Sequence, residues 1–205
     1  MNEDFTPLLS KIDLETKISL CSGLDGWRTK PLPEAGIRSV VMTDGPNGLR
    51  KEIKREDGKT DAEKATCFPS ACLMACSFDI NLMREMGAAM AFEARSKGVD
   101  LLLGPGINIK RSPLCGRNFE YYSEDPLLTG ELAAAFVDGL QQAGLGATLK
   151  HFALNNQEKA RLSSNSLADE RAKREIYLAA FETVIKKANP WAVMSSYNKV
   201  DGVYT

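Results

Sequence analysis

The side chains able to do chemistry fall just after short apolar runs. Asp44 follows Ser39–Met42 and opens a dense turn, DGPNG. Arg117 and Glu120 lie with Phe119, Tyr121 and Tyr122 in a charged stretch beyond Val99–Leu103. Lys150 and His151 end the run that begins at Gly146, and Met194 and Tyr197 end the one that begins at Trp191. Arg161 adds a cation to the polar stretch after His151. A carboxylate accepts hydrogen bonds from neighbouring hydroxyls, while guanidinium, ammonium and imidazole groups donate them. Aromatic side chains supply apolar walls. The set reads as a pocket for a neutral polyol.

Each of these residues also has a plainer reading. Asp44 can close an Asx turn. Arg117 can pair with a loop acid, Lys150 can snorkel to the surface beside a core-bonded histidine, Arg161 can be a surface charge, and Met194 can be core. Lys150 and His151 are the oddest pair. Successive strand residues point to opposite faces, so both reach one ligand only where the backbone turns. Glycoside hydrolysis needs two carboxyl groups across the scissile bond. The acids at hand are Asp44, Glu120, Glu124 and Asp125, and spacing does not choose a nucleophile among them.

The elements that must position these residues follow from periodicity and caps. Asp13 predicts a helix start, with Leu14, Ile18 and Cys21 in one i, i+4, i+7 stripe ending near Gly23. Residues 51–65 read as a charged, mobile loop, and Cys67–Ala75 as extended chain around Pro69. Ser77 or Asp79 caps a helix with Met83, Met86 and Met90 on its core side, ended by Gly98. Asp125 and Pro126 start the next, with Leu128, Leu132, Phe136 and Leu140 buried, ended by Gly144. Ser166 with Asp169 suggests a cap for a helix holding Ile176, Ala180, Val184 and Ala188, ended near Pro190. Ser39–Met42, Val99–Leu103, Gly146–Leu149 and Trp191–Ser195 read as strands, the last of them buried.

Strands alternating with helices predict a parallel α/β sheet, either a (β/α) barrel or a doubly wound sheet. A doubly wound dinucleotide site wants a glycine-rich turn straight from strand to helix. Here Gly104-Pro105-Gly106 opens a long loop up to Pro126 instead. Long loops in compact domains are uncommon unless they form a lid or a site. In a barrel, sites gather at the C-terminal ends of several strands, as they do here.

The chain has 205 residues, 43% hydrophobic and 26% charged, with a formal net charge of -1. That balance favours neither nucleic acid nor membrane as a partner. No apolar run approaches the ~20 residues of a membrane span, and the acidic start MNEDFTPLLSK does not read as a signal peptide. The cysteines, 5 in all, are odd in number and sit mostly among apolar residues, which predicts reduced thiols and a cytoplasmic setting. Cys72 and Cys76 have no second Cys/His pair, so neither a metal nor a cofactor is expected.

Taken together, the motifs resemble glycoside hydrolase family 3, the β-glucosidase-type enzymes. The matching pieces are Gly23–Trp27 (GLDGW), Met42–Arg50 (MTDGPNGLR), Thr66–Ser70 (TCFPS), Gly104–Ile109 (GPGINI), Arg111–Pro126 (RSPLCGRNFEYYSEDP), Lys150–Glu158 (KHFALNNQE) and Met194–Gly202 (MSSYNKVDG). The resemblance implies that residues 1–205 are the N-terminal part of a (β/α)8 TIM-like barrel whose last strands are missing. It implies a β-glucoside or oligosaccharide substrate held by Asp44, Arg117, Lys150 and His151, with Arg161, Met194 and Tyr197 in or around the pocket. Arg50 is a weaker carry-over. The family's nucleophile lies in a Ser-Asp-Trp strand end downstream of Tyr197, and no Ser-Asp-Trp occurs in this chain. The chain alone is therefore expected to bind sugar without catalytic carboxylates. The alternative is a non-catalytic sugar-binding or structural fragment that self-associates through open barrel edges.

Overall fold

The structure, a computed structural model, describes residues 4–205. The first residues of the acidic start considered above lie outside them. The chain divides into two compact units, Met1–Met42 and Thr43–Thr205.

In the first unit, α1 (Thr6–Leu9) precedes α2 (Leu14–Leu20). Asp13 caps α2 as expected, its carboxylate accepting from the Thr16 amide at 2.7 Å. The apolar stripe faces outward: Leu14 and Ile18 are exposed, and α2 contributes no buried residue. The GLDGW segment folds back by antiparallel bridges, Gly23 to Thr29 and Arg28 to Val41.

The second unit is built on a four-stranded sheet of order β1-β4-β5-β7. β1 is Met42–Thr43, β4 Leu101–Leu102, β5 Gly146–Phe152 and β7 Ala192–Ser195. β1 sits later than the expected Ser39–Met42. β5 runs parallel to β4, pairing Leu102 with Ala147, and to β7, pairing Thr148 with Ala192. The strands lie side by side in chain order with helices between them. A doubly wound sheet reverses its order at a switch point, whereas this winding is that of a (β/α) barrel, present here as an open arc. The phosphate-loop alternative fails locally as well. Gly104–Gly106 continues the pairing with β5, Thr148 donating to Gly104 O and Lys150 to Pro105 O.

Two connecting helices follow the expected chemistry. Asp79 caps α4 (Ile80–Ser96), accepting from the Asn81 and Leu82 amides. Asp125 caps α5 (Pro126–Gln142), with Pro126 in its first turn. Met83, Met90, Leu132, Phe136 and Leu140 are fully enclosed. α5 packs between α4 and α7 (Ala179–Ala188). Gly139 permits the α4 contact: a Cβ there would stand 2.1 Å from Arg84 O.

Several expectations are corrected. Residues 51–65 are not a mobile loop but carry an antiparallel hairpin, β2 (Glu52–Lys54) with β3 (Thr60–Ala62). Its residues are all exposed, so no buried face announced it. Ala71–Ala75 form the short helix α3 rather than extended chain. Ser166 does not cap. It lies in β6 (Asn165–Ser166) and donates to Leu154 O, while Asp169 caps α6 (Glu170–Ala172). A π-helical turn, Lys173–Tyr177, separates α6 from α7 and turns Ile176 outward. β7 is not buried: Val193 and the preceding Trp191 are exposed. A last hairpin joins β8 (Lys199–Val200) to β9 (Val203–Tyr204), and β8 pairs with β6 (Asn165–Ser166). The cysteines are all free as expected, but only Cys115 is buried. No helix among the described residues is long and apolar enough to cross a membrane.

Candidate functional site

The ends of β1, β4 and β5 bring together residues far apart in the chain. β5 is buried from Gly146 to His151, so an ammonium at Lys150 needs partners. It finds two. Lys150 Nζ donates to Asp44 Oδ1 at 2.9 Å and stands 3.8 Å from Glu120 Oε2. Glu120 is itself buried, and its other oxygen accepts from Arg117 Nε. The result is a row of alternating charge, Asp44, Lys150, Glu120, Arg117. Lys150 and Glu120 are enclosed, while Asp44 keeps 40% of its side chain exposed at the open end.

Burial works against charging Asp44. The Lys150 ammonium, the Gly45 amide and the Arg117 charge outweigh it and hold the carboxyl below its ordinary range. Burial likewise opposes the Arg117 charge, but Glu120 outweighs it and raises the guanidinium's pKa. Asp44 is thus an ionised acceptor and Arg117 a fixed donor.

His151 follows Lys150 across a cis peptide bond, where the pairing of β5 with β7 shifts register between Leu149 and Phe152. The irregularity expected at this pair is present. Asn108 grips the His151 backbone from both sides, its Oδ1 accepting from the amide at 2.8 Å and its Nδ2 donating to the carbonyl at 2.9 Å. The imidazole Nδ1 lies 3.0 Å from the Tyr121 hydroxyl. Burial, then the charges of Arg117, Lys150 and Arg161, push the His151 pKa down to about 2, so the ring is neutral. Gly106 lets the Tyr121 ring approach, since a Cβ there would stand 3.1 Å from it.

Arg161 lies over the Tyr197 ring, 4.7 Å from its centroid, and is paired with Glu158 at 3.3 Å. Both Arg161 and Tyr197 are largely exposed. Met194 is half-buried on β7, and no polar or ring contact ties it to the others among the described residues. Arg50 is exposed. Its backbone braces the turn, the amide donating to Asp44 O at 2.9 Å and the carbonyl accepting from Thr43 Oγ1 at 2.8 Å. Asp44, Lys150, Glu120 and Arg117 are therefore one connected row, His151 lies next to it in the chain and feels its cations, and Arg161 and Tyr197 form a separate stacked pair whose charge also reaches His151.

The sequence assigns no role to Asn108 or Asn155, and to Tyr121 only that of an apolar wall. Both asparagines lie in motifs that follow strands, which was the available signal. Of the loop acids, Glu120 pairs with Arg117, Asp125 caps α5 and Glu124 is exposed. Among the described residues, no group of three or more His, Cys, Asp or Glu side chains is placed to hold a metal ion.

The N-terminal domain model of glycosyl hydrolase family 3 matches residues 33–204. Thermostable beta-glucosidase B of Acetivibrio thermocellus is 54% identical over 208 residues, covering 100% of this chain and 27% of the relative. An exo-alpha-(1->6)-L-arabinopyranosidase of Bifidobacterium longum is 47% identical, covering 100% of this chain and 28% of its own length. Among solved structures, beta-glucosidase 3B of Thermotoga neapolitana in complex with alpha-D-glucose superposes with a TM-score of 0.90 at 45% identity, over 98% of this chain and 30% of that one. The Kluyveromyces marxianus beta-glucosidase in complex with glucose gives 0.92 at 44%, over 98% and 24%. The chain spans about a quarter of the length of these relatives.

Proposed function

The chain belongs to glycosyl hydrolase family 3, and from that premise we propose that it supplies the sugar-gripping part of a retaining β-glucosidase. The observation that carries this is the buried Lys150 ammonium, held against Asp44 at 2.9 Å. A terminal glucosyl unit offers hydroxyls that both donate and accept. Asp44 accepts from its outer hydroxyls, and Arg117, Lys150 and His151 donate to the remaining ones. Arg161, Met194 and Tyr197 flank the pocket. Retention would proceed by double displacement through a glycosyl-enzyme intermediate.

The bond-breaking carboxyls come from other sequence. Asp44 and Glu120 are engaged by cations, Asp125 by a helix terminus, and Glu124 stands exposed. The isolated chain is thus a binder without turnover, working in the cytoplasm as its free cysteines favour. An aryl β-glucoside added to the chain tests this, with an aryl α-L-arabinopyranoside alongside because one relative bears that name. No aryl release is expected. Release abolished by Asp44→Asn or Glu120→Gln would overturn the reading.

The second reading is a structural fragment that self-associates. The exposed side chains of β7, Val193 and its neighbour Trp191, favour it. Concentration-dependent sedimentation without any response to glucose would select it.

A further inference from the structure

Tyr121 is wholly buried, and its hydroxyl has two neighbours. Asn155 Nδ2 lies 3.3 Å away and His151 Nδ1 lies 3.0 Å away. An amide nitrogen can only donate, so the phenol accepts from Asn155. Its own single proton then has one acceptor among these contacts, the imidazole Nδ1. A neutral imidazole carries one proton, and when Nδ1 accepts, that proton is on Nε2. The opposite arrangement would have Nδ1–H donate to the phenol. The phenol proton would then face the Asn155 amide nitrogen, which offers no lone pair. His151 makes no other side-chain hydrogen bond among the described residues, and its backbone is fixed by Asn108. Its Nε2–H is left to donate outward.

We propose that Tyr121 and Asn155 are positioning residues that lock His151 as the Nε2–H tautomer and so make it a permanent donor to a ligand oxygen. The relay runs Asn155 amide, Tyr121 hydroxyl, His151 Nδ1, and emerges at Nε2. It adds to the sugar-binding reading by giving His151 a fixed polarity: it donates to a hydroxyl or ring oxygen and cannot accept. A loop tyrosine 30 residues away in sequence sets that polarity. The tautomer itself does not depend on the sugar reading; the ligand it serves does.

The chain holds 1 histidine, so its imidazole nitrogens can be observed without ambiguity. Two-bond proton–nitrogen correlation spectra of the uniformly 15N-labelled 205-residue chain report the tautomer directly. The expected result is Nδ1 in the unprotonated range and Nε2 in the protonated range. In Tyr121→Phe, Nδ1 loses its donor, and the two nitrogen resonances are expected to move toward each other as the tautomers mix. Asn155→Leu should produce a smaller shift in the same direction. A wild-type spectrum with the proton on Nδ1 overturns the assignment, and this arm needs no folded variant. Unchanged nitrogen shifts in Tyr121→Phe also overturn it. No sugar enters the measurement, so its failure is distinguishable from failure of the sugar-binding reading.

Discussion

Lys150 Nζ lies 2.9 Å from Asp44 Oδ1, joining residues 106 apart in the chain. Asp44 comes from the turn after the first strand of the parallel sheet and Lys150 from near the end of the third. The pair therefore forms only when the sheet does. Lys150 also faces the buried Glu120, which Arg117 holds from the far side. One ammonium serves both the fold and the candidate pocket, and the two roles separate by substitution.

Lys150→Met leaves Glu120 buried with half of its compensation. Removing one partner of a buried ion pair costs about 3–5 kcal/mol. Lys150 is only 3% exposed, so Asp44→Asn also weakens the compensation of a buried charge, but Glu120 stays beside the ammonium and the new amide oxygen can still accept from it. Urea unfolding should therefore place Asp44→Asn between wild type and Lys150→Met. Equal losses would contradict the division of roles.

The His151 pKa is lowered from 6.5 to about 2. The unfolded chain takes up a proton below pH 6.5 that the folded chain refuses until about pH 2. The unfolded state then binds more protons, so stability falls as pH falls, by about 1.4 kcal/mol per unit well below 6.5. His151→Gln should flatten unfolding free energy between pH 6 and pH 4 relative to wild type, on a scale of about 2.5 kcal/mol. Parallel profiles would mean the ring is charged or solvated in the folded chain. Asp44 adds a smaller effect of the same sign at lower pH. Its depressed carboxyl contributes stability above about pH 4, lost as pH falls through the folded value.

Gly139→Ala sets a methyl 2.1 Å from Arg84 O, a backbone atom of the facing helix. Overpacking of this kind costs about 1–3 kcal/mol, and this contact belongs at the upper end. Gly106→Ala meets the Tyr121 ring at 3.1 Å and Glu120 O at 3.2 Å, contacts that ask their neighbours to shift by only a few tenths of an ångström. Thermal unfolding should rank Gly139→Ala below Gly106→Ala, and the reverse order would be inconsistent with the packing described.

Arg161 and Tyr197 are both solvent-facing, and their stack is worth about 0.5–1 kcal/mol. A double-mutant cycle with Arg161→Ala and Tyr197→Ala should return a coupling of that size. Coupling of about zero would leave them independent surface groups.

Much of the fold was written locally. Asp13, Asp79 and Asp125 cap their helices because a cap needs only the next few amides. The apolar runs at 99–103 and 146–149 gave the sheet's centre because burial demands a continuous apolar stretch. What failed was what depended on distant partners. The 52–62 hairpin has no buried face, so no pattern marked it. Trp191 and Val193 are apolar yet exposed, and composition reported burial that β7 does not have. In the site, Lys150 and His151 stood out because charge at the end of a buried strand is anomalous. The Asn108 clamp and the Tyr121–Asn155 relay did not, because each joins residues 30 to 43 positions apart.

A chain that grips a glucosyl unit through Asp44 and the cations beside it should be stabilised by that sugar, which thermal unfolding of the 205-residue chain against rising D-glucose measures. A ligand that binds only the folded state stabilises it by about 2.7 kcal/mol at a hundred times its Kd. The midpoint should climb with glucose in the wild type and, measured against its own sugar-free value, stay flat in Asp44→Asn. A flat wild-type midpoint, or an equal climb in Asp44→Asn, would contradict that grip.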